Sequence, residues 1–141
     1  IEGAAEGAGL GIRFLKHLQR TRVLLHLVDI APADPEADPV KDARAIIKEL
    51  KKFSPELAAK PRWLIINKSD LLPEEEAQKR ARAIVRSLRH RGPHFLVSGA
   101  TGRGTRELCE KIMEFLEQQA REARGPASPA EETVDERPAS A

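Results

Sequence analysis

Trp63-Leu64-Ile65-Ile66-Asn67-Lys68-Ser69-Asp70 is an apolar run that gives way at once to Asn, Lys, Ser and Asp, with Leu71-Leu72-Pro73 following. A run this short, bounded by turn residues, predicts a buried strand whose carboxyl end opens into a loop, with a helix starting near Pro73. In open α/β sheets, ligands bind in the crevice outside the carboxyl ends of the strands. Asn67, Lys68 and Asp70 therefore stand where a ligand is expected. Their chemistry suits a guanine. The Asp70 carboxylate offers two acceptor oxygens to the adjacent N1–H and N2–H₂ donors of that base, a donor pair that adenine lacks. Asn67 can bridge the base to neighbouring backbone, and the Lys68 stem can cover one face of the ring. Asn, Ser and Asp are also ordinary turn and N-cap residues. The strand before them and a second loop downstream favour the ligand reading.

Downstream of this run, Glu74-Glu75-Glu76 open a helix expected over about 74–90, where their charge complements the helix N-terminus. Its buried stripe reads as Ala77, Ala81, Ile84, Val85 and Leu88. Gly92-Pro93 end that helix. His94-Phe95-Leu96-Val97 predict a short strand, followed by the loop Ser98-Gly99-Ala100-Thr101-Gly102-Arg103-Gly104. In this loop, backbone N–H groups near Gly99 and Ala100 can donate to guanine O6 while Ser98 braces the turn, and small residues let a base come close. The competing reading is a plain strand-to-helix turn with an N-cap at Thr105. A last helix over about 105–123 places Leu108, Ile112, Met113 and Leu116 inside. From Arg124 onward the composition turns to Pro, Ala, Ser, Glu and Thr, which cannot repay the entropy of ordering, so residues 124–141 are expected to be a disordered tail.

Upstream, Val23-Leu24-Leu25-His26-Leu27-Val28-Asp29-Ile30 is apolar almost throughout, the pattern of a parallel strand covered on both faces. His26 within it reads as a core histidine, since no second ligand sits at metal spacing. Asp29 ends that strand and caps or orients a loop; no catalytic role falls to it. Residues 31–39 form a loop, Ala43, Ile46, Ile47 and Leu50 mark a helix over about 40–53, and 54–62 connect it to Trp63. Leu10, Phe14, Leu15 and Leu18 mark an earlier helix over 10–20. Residues 1–9 are Gly/Ala-rich and read as a flexible loop. Three strands alternating with helices predict an α/β fold with a parallel sheet. Right-handed crossovers then put the loops at 29–31, 67–70 and 98–101 on one edge.

At 141 residues the chain is the size of one domain, and 40% hydrophobic content suffices for a core. A net charge of +2 implies no strong whole-chain attraction to nucleic acid or membrane. The lone Cys109 excludes an internal disulfide framework and fits a reducing compartment. No apolar run approaches the roughly 20 residues of a membrane span, and the acidic, Gly/Ala-rich start reads as no secretory signal. A cytoplasmic monomer is expected. No metal-ligating or catalytic cluster is visible.

The two loops together resemble the guanine-specificity elements of the translation-factor-like P-loop GTPases, N-K-x-D and a later S-A-x. Ile1-Glu2-Gly3-Ala4-Ala5-Glu6-Gly7-Ala8-Gly9-Leu10-Gly11, with Arg13-Phe14-Leu15-Lys16-His17 after it, resembles switch II of the Obg family, as do Leu25-His26-Leu27-Val28-Asp29 and Asn67-Lys68-Ser69-Asp70. The resemblance covers about residues 1–120. It implies the C-terminal half of a three-layer, P-loop-GTPase-like G domain over 1–123, running from switch II to the last helix. It also implies a guanine nucleotide, GTP or GDP, bound through Asn67, Lys68, Asp70, Ser98, Gly99 and Ala100. The family's Ser-Ala is Ser98-Gly99 here, which keeps the main-chain donor. The phosphate loop, switch I, the magnesium ligands and the D-x-P-G aspartate of the family are not in this sequence, and the resemblance places them upstream of Ile1.

By the same resemblance the parent protein hydrolyses GTP by phosphoryl transfer to water, with magnesium on the β- and γ-phosphates. It acts on the RNA and protein of the large ribosomal subunit during assembly, and responds to guanosine tetraphosphate. A reading from another class is a non-catalytic RNA- or ribosome-binding module. Lys79, Arg80, Arg82, Arg86, Arg89 and Arg91 are six basic residues with no acid between them, expected to line the polar face of one helix over 79–91, where they can meet phosphates. The competing reading there is a solvated helix face, because no aromatic residue interleaves for stacking.

Because no Gly-Lys pair occurs in the sequence, residues 1–141 lack a phosphate-cradling Gly-Lys-Ser/Thr. Purified residues 1–141 with magnesium are therefore expected to release negligible phosphate from GTP. Turnover comparable with an intact GTPase of this type, and abolished by Asp70→Ala, would contradict that expectation.

Overall fold

The computed structural model describes residues 11–125. The loop expected at 1–9, Leu10 and the tail from 126 lie outside the described residues, so of the segment resembling switch II only Gly11 and Arg13–His17 are described. The chain divides into two compact units, one running to Arg106 and the other beginning at Glu107.

The first unit is α/β, with a three-stranded, all-parallel sheet. Its strands are β1 (Leu24–Asp29), β2 (Arg62–Asn67) and β3 (His94–Leu96), neighbours in that order. Helix α1 (Gly11–Leu18) precedes β1, α2 (Pro39–Phe53) and α3 (Pro55–Ala58) lead from β1 to β2, and α4 (Glu74–Ser87) leads from β2 to β3. The register sets Asp29 opposite Asn67 and Ile66 opposite Leu96. All three carboxyl ends are thus level, as the alternation of strands and helices predicts.

The central strand carries the core. Trp63, Leu64, Ile65 and Ile66 are all buried, which is why this stretch reads as continuously apolar rather than alternating. Leu64 and Ile66, with Val28 of β1, pack on Ala43 of α2 and on Ala77, Ala81 and Ile84 of α4. Leu24 at the other end of β1 packs with Leu15 of α1, Leu50 of α2 and Leu57 of α3. On the opposite face of the sheet, Trp63 stacks on Phe95 with ring centroids 5.5 Å apart. Local chemistry sets the helix starts. The Asp38 side chain accepts from the N–H groups of Val40 (3.1 Å) and Lys41 (3.3 Å), with Pro39 in the first turn.

Several expectations are corrected. Strand β1 is covered on one face only: Leu24, His26 and Val28 are buried, while Leu25 is 40% and Leu27 59% exposed. β1 is an edge strand of the described sheet, so its outward side chains lack the flanking neighbours that enclose Trp63 and Ile65. Phe14 of α1 is likewise exposed, and Leu15 takes the buried position. The connection at 54–62 contains helix α3, capped by the Ser54 hydroxyl on Leu57 N–H at 3.1 Å. Helix α4 stops at Ser87 rather than near 90. Arg89 adopts φ 52°, and the N–H groups of Arg89 and His90 turn back onto the carbonyls of Arg86 and Val85. That is a Schellman ending with an arginine at the left-handed position usually held by glycine.

In the second unit, the described part belongs to α5 (Thr105–Arg124). None of its residues is fully buried, against the expected internal stripe, and Met113 is exposed. Leu108, Ile112, Phe115 and Leu116 are half-buried instead. At about 100° per residue, 108, 112, 115 and 116 share a stripe and 113 lies well off it.

His26 is a core histidine, buried on the α2/α4 side of the sheet. The Arg62 guanidinium donates to its Nδ1 (3.1 Å), so the neutral ring carries its proton on Nε2. Burial, then the Arg62 charge, then His90, push its pKa down from 6.5 to about 4. A lowered folded-state value means that the unfolded chain takes up a proton first as pH falls. Its stabilising contribution is therefore complete above pH 6.5 and disappears progressively toward pH 4. The loss amounts to roughly 2 kcal/mol between pH 7 and pH 5. Urea unfolding of the wild type and His26→Leu at both pH values should show a decline smaller by about that amount in the variant. Equal declines would show that His26 is not the titrating group.

Candidate functional site

At the end of β2, the chain makes a sharp turn. Lys68 adopts a left-handed backbone conformation (φ 67°, ψ 34°), and Ser69–Leu71 form a single 3-10 turn. The turn is anchored on both sides. The Asn67 carbonyl accepts from Ile30 N–H (3.0 Å), and Ser69 N–H donates to the carbonyl of Val97 (3.1 Å). These bonds join the loop after β2 to the chain after β1 and after β3.

The side chains complete the junction. Asn67 Oδ1 accepts from Gly99 N–H at 2.9 Å, and Asp70 Oδ1 accepts from the Ser98 hydroxyl at 2.7 Å. Ser98 is fully buried, and its Oγ also accepts from Thr101 N–H at 3.1 Å. It braces the third loop against the second. The loop closes on itself through Ser98 N–H to the Arg103 carbonyl and Gly102 N–H to the Ser98 carbonyl. Arg103 pairs with Glu74, the first residue of α4. Thr105 is not an N-cap: it is the first residue of α5, and its hydroxyl donates to the Gly102 carbonyl at 2.6 Å.

Asn67, Asp70, Ser98 and Gly99 are thus brought together, with Ala100 exposed on the turn beside them. One part of the sequence reading changes. The Gly99 N–H is engaged by Asn67, so of the two backbone donors expected to meet a ligand, Ala100 N–H is the one that no described residue occupies. Lys68 departs from the cluster. Its Nζ reaches across to Asp29 Oδ2 at the end of β1, 2.9 Å away. Asp29 was expected only to cap or orient a loop; its position as the last residue of a parallel strand was the signal for its place at this edge. Asp70 is exposed, and its bond to Ser98 engages Oδ1. A cavity of about 220 Å³ lies beside His26, Asp29, Pro32 and Asp42. The Asp70 junction, with Asp70, Gly99 and Ala100 exposed, is an open ledge between two loops.

No family model matches the chain.

Two of the three glycines of the third loop, Gly99 and Gly104, differ in what they require. A Cβ at Gly99 would meet only the Asn67 amide at 3.8 Å, an ordinary contact. At Gly104, φ is +76° and a Cβ would lie 2.7 Å from the Leu96 carbonyl oxygen. Gly104→Ala should therefore destabilise the fold by roughly 1–3 kcal/mol. Gly99→Ala should stay within about 1 kcal/mol of the parent, on the stabilising side, by restricting the unfolded chain. Urea midpoints of the two variants check this, and a Gly99→Ala penalty as large as that of Gly104→Ala would contradict the geometry.

Proposed function

We propose that this chain carries the guanine-recognition and switch II part of an Obg-type GTPase. The protein to which it belongs would hydrolyse GTP to GDP and act on the large ribosomal subunit. The observation that carries the reading is the side-chain junction of the two loops, Asn67 to Gly99 and Asp70 to Ser98. Sequence distance alone does not require 28 and 32 residues of separation to close in this way.

The chemistry of the donors and acceptors supports guanine. With one Asp70 oxygen steadied by Ser98, the carboxylate is held in a fixed orientation and accepts from the base N1–H and N2–H₂. Asn67, its oxygen held by Gly99 N–H, turns its NH₂ to the acceptor edge of the base, and Ala100 N–H serves O6. The Lys68 stem supplies an apolar surface for one ring face. Among the described residues, no group of three or more His, Cys, Asp or Glu is assembled to hold a metal. No described helix is long and apolar enough to cross a membrane.

The RNA-binding reading keeps one observation in its favour: Lys79, Arg80, Arg82, Arg86, Arg89 and Arg91 are all exposed. Against it, Arg89 and Arg91 lie beyond the end of α4, and Arg80 is paired with Glu76 at 3.0 Å. The six do not line one helix face. Phosphate contacts by this set would give RNA binding that weakens steeply with salt, whereas guanine-nucleotide binding would be lost with Asp70.

In the intact protein, Asp70→Asn should reverse the preference between GDP and xanthosine diphosphate. An asparagine oxygen still accepts N1–H, but its NH₂ then faces the guanine NH₂, donor against donor. Xanthine carries an oxygen at C2, and the pairing is restored. An unpaired polar group in a closed contact costs on the order of 1–3 kcal/mol, so the preference should shift by roughly ten-fold or more. Competition at fixed salt measures it. Equal weakening of both nucleotides would make Asp70 a turn residue only.

A further inference from the structure

We propose that Asp29 is a positioning residue of the guanine site, acting through Lys68. The inference rests on the guanine reading and adds to it a residue from the neighbouring strand. Asp29 lies opposite Asn67 in the parallel register, one strand spacing away, about 4.8 Å. The Lys68 side chain crosses that gap, from the end of β2 to Asp29 Oδ2 at 2.9 Å. Its stem therefore bridges the ends of two strands along the edge where the Asp70 loop opens.

Two features show what this ion pair does. Its partners are 43% and 44% exposed, and exposed pairs add little to folding stability. Holding the fold is thus not its main effect. The backbone at Lys68 is already clamped from both sides, by Asn67 on Gly99 and by Ser69 on Val97. What remains free is the long Lys68 side chain, with the large rotamer entropy of an unpaired lysine, and Asp29 removes that freedom. It also settles which acid the ammonium serves. Asp70 stands two residues from Lys68, and the nearby Glu74 is engaged by Arg103. An ammonium released from Asp29 would have Asp70 as the next carboxylate in reach, where it would compete with the base N–H donors. Asp29 therefore keeps the stem across the ledge and the Asp70 carboxylate open.

The experiment is a double-mutant cycle on GDP affinity in the intact protein, using Asp29→Ala, Lys68→Met and the pair, with Asp70→Asn run in parallel against GDP and xanthosine diphosphate. Asp29→Ala should weaken GDP binding several-fold with an unchanged urea midpoint, and Asp29→Asn, which keeps an acceptor oxygen, should restore part of the loss. In the Lys68→Met background, which retains most of the stem without the charge, Asp29→Ala should have no further effect. The same loss in both backgrounds, or none in the wild type, would overturn the proposal. If Asp70→Asn fails to reverse base preference, the guanine reading fails and this inference falls with it. If the reversal occurs and Asp29→Ala is silent, only the role of Asp29 is refuted.

Discussion

Strand β2 has no solvent-facing side over Trp63–Ile66, and most of what surrounds it follows from that. A strand buried on both faces needs its N–H and C=O groups satisfied along both edges. Here β1 and β3 do so in parallel. Parallel neighbours require crossover connections, and these are the helices α2 and α4 that cover one face. Their small residues, Ala43, Ala77 and Ala81, let them approach Leu64 and Ile66 closely. The burial also forces the polar residues of the stretch to its end. Asn67 is the first position where a polar side chain can reach other loops rather than the core.

The ledge at that end is held by side chain-to-loop bonds in place of a ladder. β3 is only three residues long, so the chain after Leu96 is free to turn, and Ser98 and Gly99 come back toward β2. The two contacts there divide the labour. Asn67 on Gly99 fixes backbone to side chain, and Ser98 on Asp70 fixes the orientation of a carboxylate. A carboxylate held at one oxygen recognises a donor pair better than a free one, because less rotamer freedom is lost on binding. The same logic places Asp29 and Lys68 in one arrangement, on the other flank of Asn67.

The edge strand shows the opposite behaviour. β1 contributes Leu24, His26 and Val28 to the interior, yet leaves Leu25 and Leu27 exposed. His26 is retained in this interior in the neutral form, because Arg62 occupies the nitrogen that would accept the second proton. The charge of the sheet's amino-terminal half is therefore tied to a buried ring whose protonation opposes folding.

Much of this was legible in the residues alone. The apolar run into Asn67-Lys68-Ser69-Asp70 marks β2 and its loop, the 3.6-residue spacing of Ala77, Ala81 and Ile84 marks the inner face of α4, and alternating strands and helices imply a parallel sheet. α3 was not read from the residues: Ser54-Pro55-Glu56 is a capped helix start, but four residues carry no periodicity to reveal it. Only the tertiary structure decided the exposure of Leu25 and Leu27, the capture of Gly99 N–H by Asn67, the left-handed stop at Arg89 and the pairing of Lys68 with Asp29. The physical reason is common to them. Periodicity along a strand or helix reports which side chains share a face, because that is set by local backbone geometry. Which groups meet at the ends of different strands depends on strand order and register, and these are settled by packing between segments far apart in the chain.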